Sequence, residues 1–132
     1  MIIKPRTIPL ELLLLRFIRA RTKVTAKTEN QIISLEKGFI GEKMFDKRII
    51  NLSLDCLIIN NLLLETNNTH YQIDSLLISQ HKIHIFEVKN FEGDYLLDGD
   101  CLRMLSGKEI KNPLLQLNRS VSLFRQLLQN YD

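Results

Sequence analysis

The stretch YQIDSLLISQHKIHIFEVKN, residues 71–90, has the apolar content of a buried β-hairpin but carries Asp74, Glu87 and Lys89. A tight turn at residues 80–81 would set Asp74 directly opposite Glu87, with Cβ atoms about 4.5–5.5 Å apart. Like charges in that position destabilise a sheet. Alternation along the strand also predicts that Glu87 and Lys89 share a face, so two carboxylates and one ammonium group would converge.

Three arrangements could compensate for the two carboxylates. Lys89 could neutralise one of them as an ion pair, or one carboxyl group could stay protonated. Alternatively, a divalent cation could bridge Asp74 and Glu87, since Mg²⁺ binds one or two carboxylates together with water molecules and phosphate oxygens. The residue pattern alone leaves all three open, because structural ion pairs use the same side chains.

The surrounding pattern predicts one α/β domain, of mixed α and β content, with a helix on each side of its strands. Helical periodicity covers ENQIISLEKGFIGEKMFDKRI, with an expected core stripe of Ile32, Leu35, Phe39 and Ile40. Three strands are predicted in CLIINNLLLE, YQIDSLLIS and KIHIFEVKNF, followed by a shorter hairpin in YLLDGDCLRMLSGKEI. The segment NPLLQLNRSVSLFRQLLQ predicts a helix with Asn112 as its cap and Pro113 at its first position.

Two glycines interrupt the first of these helices. Gly38 and Gly41 would each weaken a helix by about 1 kcal/mol relative to alanine. Close packing of the helix on a sheet would explain them. Gly38 also lies one turn from Glu42 on the same face, where a small residue beside a carboxylate would leave room for a ligand. The two explanations are compatible.

The N-terminal segment is strongly basic. The chain has 132 residues and a net charge of +3, but residues 1–27 carry seven lysines and arginines against Glu11, a net charge of +6. Such an arm can attract nucleic acid or an anionic membrane. Its charges can equally form a solvated helix face and a linker, and we weigh the two interpretations evenly.

An amphipathic helix is predicted inside this basic segment. The stretch PLELLLLRFI is too short to span a bilayer, which needs roughly 20 apolar residues. Its larger apolar residues fall on one helical face, namely Leu10, Leu13, Leu14, Phe17 and Ile18. With Thr7 as a possible cap, we expect a helix docked on the domain, on a partner or on a membrane surface.

The cysteines indicate a reducing compartment. Cys56 and Cys101 have no zinc-motif spacing, and no secretory signal accompanies them. Two free thiols of this kind predict a cytoplasmic protein. The expected organisation is an N-terminal helix and linker over residues 1–30, followed by a single domain over residues 31–132.

Taken in order, the acidic residues, the lysine and the flanking helices resemble the PD-(D/E)XK nuclease superfamily, whose fold is restriction-endonuclease-like. More closely, the chain resembles the nuclease-related domain, or NERD, over about residues 36–130. The matching segments are GFIGEK at 38–43, YQIDSLLIS at 71–79, IFEVKNFEGDY at 85–95 and NPLLQLNRSVSLFRQLL at 112–128. The opening MIIKPRTIPLELLLLRFIRAR also resembles the leader of NERD proteins from Gram-positive bacteria.

This resemblance implies hydrolysis of phosphodiester bonds in nucleic acid, with DNA as the expected substrate and Mg²⁺ or Mn²⁺ as the cofactor. At the matching positions, the side chains of Asp74 and Glu87 and the carbonyl of Val88 would be metal ligands. Lys89 would hold and polarise the attacking water. A bound metal lowers the pKa of water and neutralises charge on the phosphate, which suits this chemistry.

The helices on either side of the strands would supply two further residues. By the same resemblance, Glu42 would complete the acidic site through a water molecule or a second metal. Gln116 would position the nucleophile or the phosphate. The alternative is a non-catalytic NERD module that binds nucleic acid or assembles with partner proteins, with its carboxylates merely paired.

One departure from the superfamily pattern is expected. Its core runs helix, three strands, helix and then a fourth core strand, whereas this chain ends at Asp132 as the second helix finishes. The order predicted here is therefore helix, three strands, hairpin and helix, with the final core strand missing. An unpaired sheet edge favours pairing with another chain, so a homo-oligomer is one expected assembly.

Overall fold

The computed structural model describes residues 1–53 and 55–131, which form two compact units. The larger unit contains residues 1–4, 55–87 and 91–131. The other, called the helical unit below, contains residues 5–53 and 88–90. The elements in chain order are β1 (Ile2–Lys4), α1 (Leu10–Arg21), α2 (Ala26–Ile50), β2 (Leu57–Thr66), β3 (Thr69–Ile78), β4 (Ile83–Phe86), β5 (Tyr95–Asp98), β6 (Cys101–Met104), β7 (Glu109–Ile110) and α3 (Pro113–Gln129). None of the described helices is both long and apolar enough to cross a membrane.

The larger unit is built on a mixed four-stranded sheet with the order β1–β2–β3–β4. β1 runs parallel to β2, whereas β2 with β3 and β3 with β4 are antiparallel. β5, β6 and β7 form a separate antiparallel sheet, and α3 packs against β2, β3 and β4. This architecture confirms the predicted fold class. In place of the predicted shorter hairpin, the chain forms three short strands, β5, β6 and β7.

The central strand β3 carries the core of the larger unit. Residues 73–77 are buried in succession, so both faces of β3 are covered there. Tyr71, Ile73 and Leu76 form the buried cluster, to which α3 contributes Leu123 and Phe124. α3 begins as predicted, because Asn112 caps it by accepting the Leu114 N–H over 2.9 Å and Pro113 is its first residue.

The predicted turn of the β3–β4 hairpin is confirmed. The Ser79 N–H donates to the carbonyl of Lys82 over 2.9 Å. The register that follows pairs Ser75 with Phe86, as a turn at residues 80–81 requires. However, β4 ends at Phe86. The prediction that the strand continues through Lys89 is therefore wrong, and strand alternation does not decide where Lys89 points.

The sequence did not indicate β1. This strand has three residues and joins the sheet because the N-terminal amino group of Met1 donates to the carbonyl of Cys56 over 2.6 Å. The Ile58 N–H donates to the carbonyl of Met1 over 2.9 Å, and the ammonium group of Lys4 donates to the carbonyl of Asn61. The first residues of the basic segment therefore belong to the sheet.

The helical unit differs from prediction at both helix starts. α1 is preceded by Pro9 with no side-chain cap, so the predicted cap at Thr7 is wrong. α2 starts at Ala26, capped by the Thr25 side chain, which accepts the Thr28 N–H over 3.2 Å. The polar stretch RTKVTAKTEN, residues 21–30, which the sequence predicts as the linker, is therefore mostly helical, and the connection between the helices is four residues long, 22–25.

The apolar stripe predicted for α1 lies mainly on its exposed side. Leu12 is fully buried, whereas Leu14, Phe17 and Ile18 are each about half exposed. In α2, Ile32 is fully buried as predicted, but Ile40 is exposed. The face predicted for α1 is therefore wrong, and the face predicted for α2 departs from the structure at Ile40, because leucine or isoleucine occupies more than one face of each helix.

Candidate active site

Two predicted metal ligands lie at the end of the β3–β4 ladder. Asp74 is buried, with 8% of its surface exposed, and Glu87 is half-buried. The last register pair is Ser75 with Phe86, and Asp74 and Glu87 are the next residues on the two segments, beyond that pair. Both residues have interaction partners within the structure. The two carboxylates thus directly follow the last paired residues of the ladder.

The backbone beside Asp74 is held from β2. The buried Ser75 hydroxyl donates to Oδ1 of Asn60 over 2.8 Å and ties β3 to β2. Asn61 follows with φ of 50°, a left-handed conformation that asparagine tolerates better than most residues. β2 is therefore locally irregular next to Asp74, as strands often are beside functional sites.

Asn90 fixes the end of the EVKN segment to α2 inside the helical unit. Its side-chain NH₂ donates to the carbonyl of Lys37 over 2.9 Å. A Cβ atom added to Gly41 would lie 2.5 Å from Cβ of Asn90, so only glycine allows this approach. Gly38 has nothing within 4 Å of an added Cβ, in keeping with open space there. The neighbouring Lys89 is exposed.

Glu42 is bound by Arg6, a contact that the sequence did not indicate. Nη1 of Arg6 lies 2.6 Å from Oε2 of Glu42. The same guanidinium binds both carboxylate oxygens of Asp46, at 2.7 and 2.9 Å. Only 3% of the Arg6 side chain is exposed. The one available signal was the four-residue spacing of Glu42 and Asp46, which sets both acids on one helix face.

The charges around Arg6 keep it ionised. Burial lowers the pKa of Arg6, but the hydrogen bond to Asp46 and the attraction of Glu42 and Asp46 outweigh burial, so the pKa is raised. A charged guanidinium between two partly buried carboxylates satisfies all three groups. Glu42 is therefore neutralised within the helical unit by a residue of the N-terminal segment.

Two more arginines of the basic segment are paired with acids of α2. Arg16 binds Glu36 through Nε at 2.6 Å, and Arg19 binds Glu29 at 3.2 Å. The hydrogen bond from Arg16 is the main cause of the lowered pKa of Glu36. These arginines serve to join α1 to α2. Their positive charge is thus less available to an external partner than the net charge of the segment suggested.

Gln116 lies in the first turn of α3 and is half-buried. It lines a cavity of about 290 Å³, together with residues from the N-terminal half of β3. The helix is anchored there because the Asn112 side chain also donates to the carbonyl of Asp100 over 2.9 Å. The Gln116 side chain therefore borders an open recess at the start of α3.

The predicted site residues are divided between the two units. The larger unit contains Asp74, Glu87 and Gln116, and the helical unit contains Glu42, Val88 and Lys89. Val88 is half-buried.

The carboxylates of the larger unit fit one class of metal ion. Within residues 1–53 and 55–131, no three or more His, Cys, Asp and Glu side chains are grouped as a metal site would need. Mg²⁺ does not require such a cage, because it keeps several water molecules and uses one or two carboxylates with substrate phosphates. Asp74 and Glu87 thus suit a hard, partly hydrated cation better than zinc.

The comparison with known families agrees with these features. A family model described as nuclease-related domain, NERD, matches residues 37–132. The matched range includes all six predicted site residues. No curated protein and no solved structure matches the chain.

Proposed function

This chain belongs to the nuclease-related domain family, and we propose that it hydrolyses phosphodiester bonds in nucleic acid, with DNA as the substrate, in a reaction that depends on Mg²⁺ or Mn²⁺. The observation that carries the proposal is the register of β3 and β4, whose last pair, Ser75 with Phe86, is followed on the two segments by Asp74 and Glu87. Two acidic residues so close to each other, one of them buried, need a compensating positive charge.

We propose that Asp74 and Glu87 hold the divalent cation, with the Val88 carbonyl as a further ligand. When bound, such a cation lowers the pKa of a coordinated water molecule and neutralises charge that develops on the phosphate. Because Asp74 is buried, bulk water screens its charge less, and its electrostatic interactions are stronger. A pair of carboxylates in this setting attracts a cation without any third acidic side chain.

We assign Lys89, Gln116 and Glu42 supporting roles. The ammonium group of Lys89 would favour hydroxide over water in the nucleophile, because a nearby positive charge stabilises an anion. The Gln116 amide would hold a phosphate oxygen or the attacking water. Because the Glu42 carboxylate is already paired with the Arg6 guanidinium, we propose that Glu42 acts through a water molecule rather than through a second metal.

Cleavage of supercoiled plasmid DNA in Mg²⁺ tests the proposal. Asp74→Ala and Lys89→Ala should each lower the nicking rate by at least about 100-fold. The first removes a metal ligand, and the second removes the positive charge that stabilises the attacking hydroxide. Lys82→Ala, which removes an exposed lysine of the same hairpin from its turn, should cleave like the native chain. Persistent cleavage in the Asp74 and Lys89 variants, with circular dichroism unchanged, would refute these assignments.

A non-catalytic NERD module is the second candidate. The observation in its favour is the Arg6–Glu42 contact, which shows that one acid predicted for the site is stabilised without a metal. Under this reading, the chain would bind DNA or a partner protein but would never nick plasmid with any divalent ion. The plasmid assay therefore separates the two candidates directly.

Three further expectations stay predictions: self-association through a sheet edge, membrane-surface contact through α1, and a cytoplasmic location. The exposed side of α1 presents Leu14, Phe17 and Ile18, which a membrane or a second chain could cover. Both cysteines are free thiols.

A further inference from the structure

A cavity of about 290 Å³ lies in the larger unit, between the N-terminal half of β3 and the first two turns of α3. Its polar lining includes His70, Tyr71, Lys111, Gln116 and Arg119. Pockets that hold drug-sized ligands have volumes of roughly 300–1,000 Å³. This recess is therefore of a size that accepts a small group, such as a phosphate with its attached sugar.

The charges around the cavity are of one sign. Lys111 and Arg119 line it, and no acidic residue does. Within the part of the chain that the structure describes, neither cation forms an ion pair. α3 contains no acidic residue, and its N-terminal end carries a partial positive charge from the helix dipole. An anion entering the recess meets two cations and a helix N-terminus.

We propose that this cavity is a subsite for a backbone phosphate of a nucleic-acid strand. Lys111 and Arg119 supply the charge, and Gln116 supplies hydrogen bonds. The inference rests on the proposed nuclease function, which brings such a strand to this surface. Because only the phosphate is contacted, the subsite fixes the position of the strand and reads no base sequence.

Binding of a fluorescein-labelled single-stranded oligodeoxynucleotide, measured by anisotropy in EDTA, tests the subsite without any cleavage. The double variant Lys111→Gln with Arg119→Gln should bind at least about tenfold more weakly than the native chain, with a smaller salt dependence. The matched control is Lys108→Gln with Arg125→Gln, which removes the same charge from exposed positions outside the cavity. It should lose no more than about threefold. Equal losses in the two double variants would overturn the proposal.

Inorganic phosphate should compete far less than unlabelled oligonucleotide at equal phosphate concentration. Equal competition would show a site for free phosphate and would refute the nucleic-acid assignment.

One further variant separates failure of the phosphate subsite from failure of the nuclease function. Asp74→Ala should keep native or higher oligonucleotide affinity in EDTA, because it removes a negative charge and leaves the cavity intact. If the protein never cleaves DNA but loses affinity specifically through the cavity substitutions, the subsite is supported and the nuclease function is refuted. If the protein cleaves normally and the cavity substitutions leave its affinity unchanged, the nuclease function is supported and the subsite is refuted.

Discussion

Replacing Gly41 with alanine should destabilise the protein, although alanine is the better helix former. The added Cβ would lie 2.5 Å from Cβ and 3.0 Å from Cγ of Asn90, well inside van der Waals contact. Relieving such a clash by shifting neighbours costs about 1–3 kcal/mol. Displacing Asn90 also weakens its hydrogen bond to the Lys37 carbonyl, worth about 0.5–1.5 kcal/mol. The higher helix propensity of alanine offsets only about 1 kcal/mol of this loss.

The net effect of Gly41→Ala is therefore a loss of about 0.5–3.5 kcal/mol in the free energy of unfolding. Gly38→Ala is the matched control, since it makes the same change one turn earlier in α2, where nothing lies within 4 Å of the new Cβ. It should gain up to about 1 kcal/mol.

Urea unfolding of the two variants measures this difference, with equal m-values as the check that the unfolded state is unchanged. If Gly41→Ala is as stable as Gly38→Ala, the packing of Asn90 on α2 is not as described. The same result would remove the argument that Asn90 anchors the segment containing Lys89.

Two ion pairs give further predictions. Arg6→Gln should lower the free energy of unfolding by about 2–4 kcal/mol, because it leaves Glu42 and Asp46 close together and partly buried without their cation, and Arg6→Lys should lose less. A loss below that of an exposed control, Arg21→Gln, would refute the buried pair. Arg16→Gln should reduce stability at neutral pH. Because Arg16 lowers the pKa of Glu36 below its ordinary 4.5, this difference should shrink as pH falls below that value. Chemical unfolding across the acid range measures it, and a pH-independent difference would contradict the pairing.

Local patterns in the sequence predicted the hairpin well. The turn at residues 80–81 fixed the register through Ser79 and Lys82, because a tight turn and strand alternation depend on neighbouring residues alone. The same reasoning identified the cap of α3 at Asn112. Both features could be read without knowing what the rest of the chain contacts.

Features that depend on distant contacts were not predictable. β1 has three residues and is defined by pairing with residues more than 50 positions later, so no local pattern marks it. The leucine-rich α1 offered several apolar faces, and only the packing of Leu12 decides which one is buried. Arg6 was counted with the basic segment, since its pairing with Glu42 requires the fold to bring them together. The register of the hairpin thus follows from local sequence, whereas ion-pair partners such as Arg6 do not.

The most direct test of the central claim is the anomalous difference density of Mn²⁺ in crystals soaked with the ion. Asp74 and Glu87 should both coordinate one peak, and crystals of Asp74→Ala treated identically should lack it. Ordered carboxylates with no peak between them, or a peak of equal height in the Asp74→Ala crystals, would contradict the account. In that case the two acids are held by protein partners alone, and the chain is not a metal-dependent nuclease at this site.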